Sequence, residues 1–167
     1  MAVPARHQVR PPRLPIRVVE RGRLLDRVSQ AVEDVPFTLI RAPAGAGKTV
    51  LAAAWARRRG QEHPVAWLTL THRDEQPAVF WPHVQAVLAD IQAVVTEPGR
   101  PTLPQGDDVA ALCEQLLQLD QPVVLVLDAA ERVHHPAVLD QLSWLLDNAG
   151  ERLRVLMTSR VDPPMPL

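Results

Sequence analysis

Ala42-Pro43-Ala44-Gly45-Ala46-Gly47-Lys48-Thr49 is the segment that most narrows what this chain can fold into. It follows a short apolar run, Pro36 to Ala42, and leads into small residues from Lys48 to Arg59 that end at Gly60, so it reads as strand, glycine turn and helix. Such a turn exposes consecutive backbone N–H groups, and glycine is favoured where a side chain would obstruct an approaching group. The N–H groups of residues 47 to 50, with the positive end of the helix dipole, suit a phosphate. Lys48 is expected to reach the β- and γ-phosphates and the Thr49 hydroxyl to bind Mg2+, which makes ATP or ADP the implied ligand. The phosphate-contacting stretch comprises Pro43, Ala44, Gly45, Ala46, Gly47, Lys48, Thr49 and Val50. The first position of G-x-x-x-x-G-K-[ST] is Ala42 here, a mild change because the cradling N–H groups come later in the loop.

The rest of the chain alternates in the same way. A short helix is expected from Leu24 to Val32, with Leu24, Leu25, Val28 and Val32 on one side. A second strand is expected from Pro64 to Leu70 and a helix from Val79 to Val94. A loop with Pro98, Gly99, Pro101, Pro104 and Gly106 comes next, then a helix from Asp108 to Leu119. Val123-Val124-Leu125-Val126-Leu127-Asp128 is the most apolar strand and is expected to be central, followed by a helix from Pro136 to Asn148 and a strand from Leu153 to Ser159. Strands apolar on both faces and separated by helices imply a parallel sheet covered on both sides, an α/β class. Trp55, Trp67, Trp81 and Trp144 all fall in these elements and are expected in the core.

With 167 residues, 47% of them apolar, the chain is the right size for one domain with one buried core. Residues 1–15 read as a flexible Arg/Pro-rich lead-in and 16–167 as the nucleotide-binding domain. No run approaches the roughly 18 apolar residues of a membrane span, so no membrane contact and a cytoplasmic location are expected. Cys113 is the single cysteine, which excludes an internal disulfide, and is expected to be a buried packing residue. The net charge of -1 gives no global reason to expect nucleic acid. Residues 1–30 nevertheless carry seven arginines against Glu20 and Asp26. That arm lacks aromatic residues for base stacking and is broken by Pro4, Pro11, Pro12 and Pro15, so it reads as a solvated lead-in.

A strand ending in an acid supplies the second half of a phosphate site, because its carboxylate holds Mg2+ through water, and Asp128 takes that role. The next residue, where a hydrolase commonly has a base, is Ala129, and a methyl group cannot accept a proton. Glu131 is the nearby carboxylate that could substitute, with a surface-charge role as its alternative. Thr158-Ser159-Arg160 ends the fourth strand at the carboxyl edge where ligands of open α/β sheets bind, and Arg160 there can contact a γ-phosphate. Ser159 has no visible base partner. His134 and His135 are too close together, without a third ligand, to hold a metal.

These segments together resemble the nucleotide-binding domain of STAND-class signalling ATPases, specifically the large LuxR-type transcriptional regulators related to the maltose-regulon activator. The resemblance rests on Pro11 to Pro15, Val19 to Leu25, Ala42 to Thr49, Val65 to Leu68, Phe80-Trp81, Val124 to Asp128, Pro136 to Val138 and Thr158 to Pro164. It implies a three-layer P-loop sandwich in which strands 1-4-3-2 are present and a fifth, beside the phosphate-loop strand, is missing. Residues 161–167 contain three prolines, which lack the N–H a ladder requires. It also implies Val19 and Arg21 near the adenine, Lys48 and Arg160 as catalytic and sensor residues, and partners in self-association or in the remaining domains of a larger regulator. Direct DNA binding by this chain is not expected. Ala46, Thr71 and Ala129 depart from the family pattern, the last in a way that predicts slow or absent hydrolysis. A small P-loop kinase acting on a metabolite and a truncated non-functional remnant remain as alternatives.

Overall fold

The computed structural model describes residues 4–14, 22–60, 64–95 and 108–165 of the chain. Val19, Arg21 and the proline-glycine loop of residues 98–106 lie outside the described residues. The elements in order are α1 (Gly22–Asp34), β1 (Phe37–Arg41), α2 (Lys48–Arg59), β2 (Val65–Thr69), α3 (Pro77–Val95), α4 (Val109–Leu117), β3 (Val123–Asp128), α5 (Pro136–Asn148) and β4 (Leu153–Ser159). Short 3-10 turns at His72–Glu75, Ala130–Arg132 and Gly150–Arg152 join them. Among the described residues the sheet has four parallel strands in the order β1-β4-β3-β2, the order expected.

Strand alternation builds the layers. Val124 and Val126 of β3, Trp67 of β2 and Leu156 of β4 face one side, where they pack with Val28 and Val32 of α1 and with Ala52, Ala53, Trp55 and Ala56 of α2. Leu125 and Leu127 of β3, Leu68 of β2, and Val155 and Met157 of β4 face the other side, against α3, α4 and α5. Both faces of β3 are covered, so all six of its residues are buried. The alanines of α2 let that helix lie close to the sheet, and the Trp55 indole N–H donates to Ser29 Oγ on α1 at 3.1 Å.

β1 is different. Among the described residues it pairs only with β4, and none of its five residues is buried. The Val155 N–H donates to Pro36 O and the Ala42 N–H to Ser159 O, so the even-numbered residues of β1 turn their backbone groups toward β4. Phe37, Leu39 and Arg41 therefore turn theirs outward, where no described strand meets them. At the opposite margin the lead-in touches the sheet. Gln8 is buried, its carbonyl accepts from the Thr69 N–H at 2.8 Å, and its side-chain amide donates to Thr69 O at 3.2 Å.

Two packing expectations change. Trp144 is 44% exposed, because the buried stripe of α5 runs through Val138, Leu142, Leu145 and Leu146, and a helix turns residue 144 away from it. Leu24 is likewise exposed at the first turn of α1. The other three tryptophans are buried, as is Cys113, whose thiol is pushed up by burial and secondarily by Glu114.

Candidate functional site

The loop between β1 and α2 is shaped by two glycines in the left-handed region, Gly45 at φ 78° and Gly47 at φ 85°. Space is not what demands glycine there, since a Cβ at either position would meet no protein atom within 4 Å. Backbone conformation demands it instead. α2 begins immediately after Gly47, and the N–H groups of its first turn have no helical acceptor. Lys48 reaches back along the loop, donating from Nζ to Ala42 O at 2.7 Å and Pro43 O at 3.1 Å.

Strand period places the acid. Asp128 shares the parity of Val124 and Val126, so it points to the α2 side of the sheet, where its Oδ1 accepts the Thr49 hydroxyl at 2.8 Å. Residues 79 positions apart thus meet at the carboxyl end of the sheet. The parallel register aligns Leu127 with Met157, which brings Thr158 beside Asp128. Its hydroxyl donates to the same Oδ1 at 2.7 Å and accepts the Ala129 N–H at 3.0 Å. Asp128 is only 3% exposed, so these two donors offset the cost of burying its charge. Thr158 was not among the expected site residues. Its signal is a polar residue near the end of a strand, after the apolar Val155, Leu156 and Met157, on the parity of the acid.

Ala129 has φ 63° and ψ 46°, the only positive φ among the described non-glycine residues. This kink opens the 3-10 turn Ala130–Arg132 and carries Glu131 toward the end of β4, where its Oε1 lies 2.9 Å from Arg160 Nε. The Glu131 side chain is 16% exposed, and that of Arg160 56%. Ser159 Oγ accepts the Val161 N–H and takes no part in a nucleophile-base pair among the described contacts.

Beside this region, Asp74 is fully buried. It accepts the Thr71 N–H and hydroxyl and pairs with His83 Nδ1 at 2.7 Å, an arrangement that fixes the turn after β2. Glu75 accepts the His134 N–H at 2.7 Å, and His135 Nδ1 accepts the Ala137 N–H to cap α5. Among the described residues no three His, Cys, Asp or Glu side chains converge as a metal cluster. Mg2+ does not need one, because it is commonly held by one carboxylate, waters and the ligand's own phosphates. The Thr49–Asp128 contact and the two left-handed glycines fit a Mg-nucleotide. Among the described residues no helix is long and apolar enough to cross a membrane.

Comparison with known proteins agrees with this geometry. The chain is 32% identical over 163 residues to the HTH-type transcriptional regulator MalT of Yersinia enterocolitica, covering 93% of this chain and 17% of that protein. It is 30% identical over 149 residues to the serine/threonine-protein kinase PknK of Mycobacterium tuberculosis, covering 85% of this chain and 13% of the relative. The chain thus spans less than a fifth of either relative's length. No family model matches it. Among solved structures, a Walker-type ATPase of Pyrococcus abyssi superposes with a TM-score of 0.64 at 14% identity, over 90% of this chain and 48% of that one. The Drosophila ORC bound to DNA superposes with a TM-score of 0.56 at 19% identity, over 84% and 36%. These two show the fold alone, a P-loop α/β sandwich.

Proposed function

This chain is a P-loop module related in sequence to a segment of MalT-type LuxR regulators, and from that footing we propose that it is a nucleotide switch that binds Mg-ATP and Mg-ADP with slow or absent hydrolysis. The observation that carries the reading is the Thr49–Asp128 contact at 2.8 Å, which joins the phosphate loop to the acidic strand. In this reading the N–H groups of the loop and the first turn of α2 cradle the phosphates, and Lys48 neutralises the outer two. Asp128 and Thr49 hold Mg2+, and Arg160 contacts the γ-phosphate. The bound nucleotide supplies a terminal phosphate whose presence or absence distinguishes two states. Val19 and Arg21 take the adenine, as the resemblance implies. The module acts in the cytoplasm through other copies or through further regulator domains, and not by reading DNA itself. The outward backbone groups of Phe37, Leu39 and Arg41 support such association.

Slow turnover is supported by two features. Ala129 offers no base, and one Glu131 oxygen is already engaged by Arg160. Phosphate release by the unmodified protein is expected well below about 1 per second, the low end of ordinary enzyme turnover, and a rate at or above it refutes this part. Calorimetric titration tests the binding. Lys48→Ala is expected to lose roughly tenfold to a hundredfold in affinity, the equivalent of about 1.5–3 kcal/mol for a contact to a charged group. Identical isotherms for the two proteins overturn the assignment.

A further inference from the structure

Glu131 has no assigned part in phosphate recognition, yet its surroundings are unusual for a carboxylate. Its side chain is 16% exposed, its Oε1 meets Arg160 Nε at 2.9 Å, and its Oε2 is buried with no hydrogen-bond partner among the described residues. Arg160, by contrast, is 56% exposed. The placement is imposed by the main chain, because the left-handed Ala129, held through its N–H by Thr158 Oγ1, directs the following turn toward the end of β4. A γ-phosphate that takes the Arg160 guanidinium takes it from a carboxylate already short of donors. An unpaired buried carboxylate is costly, and its negative charge also opposes an incoming phosphate.

We infer that Glu131 is a competing counter-ion for Arg160, which biases the site toward the diphosphate and sets how strongly the γ-phosphate is felt. The inference rests on the reading of Arg160 as the γ-phosphate contact. ADP has no group to draw Arg160 away, so its affinity is indifferent to Glu131. ATP must break the Glu131 pair, and removing the carboxylate frees the arginine for it.

The test is a pair of double-mutant cycles on the whole chain. In the first, Mg-ATP and Mg-ADP are titrated into wild type, Glu131→Gln, Arg160→Ala and the double variant. Glu131→Gln is expected to tighten ATP about two- to fivefold, the scale of a half-exposed ion pair, with ADP unchanged and no gain in the Arg160→Ala background. An unchanged ATP-to-ADP ratio, or a shift toward ADP, overturns the inference. The second cycle uses thermal melts without nucleotide. Arg160→Ala is expected to lower the melting temperature, and adding Glu131→Gln to restore part of the loss, because the orphaned charge is gone. Absence of that rescue also overturns it. If no variant binds nucleotide while the melts behave as stated, the nucleotide-switch reading fails and the ion pair stands, so the two failures are distinguishable.

Discussion

β1 and β3 each deliver half of the candidate site from their carboxyl ends, but they are embedded in opposite ways. Every residue of β3 is buried, and its terminal Asp128 is held by Thr49 and Thr158. No residue of β1 is buried, and its outward backbone groups meet no described strand, yet it carries the glycine loop of the candidate site. The acidic half is therefore a fixed reference formed with the core, and the loop half is a margin that gains most from whatever binds or pairs with it.

The sharpest way to break this comparison is to truncate one leucine in each strand. Leu125→Ala, at 0% exposure in β3, is expected to cost about 3–4 kcal/mol in urea denaturation, and Leu39→Ala in β1 about 1–2 kcal/mol. Equal losses would show that the margin is as well packed as the centre. Next in size, Thr158→Val keeps the shape but leaves Asp128 Oδ1 with one donor and the Ala129 N–H with none. A loss of about 2 kcal/mol is expected by the same measurement, and none at all would mean that Thr49 alone suffices to hold the acid. The smallest effect concerns the hinge after β3. Ala129→Gly relieves a left-handed alanine at the cost of added freedom in the unfolded chain, for a net gain near 0.5 kcal/mol, visible as a melting temperature about 2 °C higher. A lower melting temperature would show that the kink carries no strain.

The fold was legible because each strand announces itself locally. The apolar runs that begin after Pro36, Pro64 and Pro122 became β1, β2 and β3, and Leu153–Ser159 and Pro136–Asn148 fall where the pattern put them. The phosphate loop was legible because its glycines carry their own reason. What stayed hidden depends on contacts between distant segments. Thr158 matters through a register with β3 that no local pattern encodes. Glu131 is drawn inward by a positive φ at an alanine, a conformation that residue type argues against. Trp144 was misplaced because membership in a helix does not say which face a residue takes until the buried stripe is known.

The two glycines of the phosphate loop carry one more consequence. The protein around Gly45 and Gly47 has room for a methyl group, so what it excludes there is a hand and not a volume. A mirror-image alanine, for which positive φ is the relaxed state, meets the demand of hand that an ordinary alanine fails at both positions.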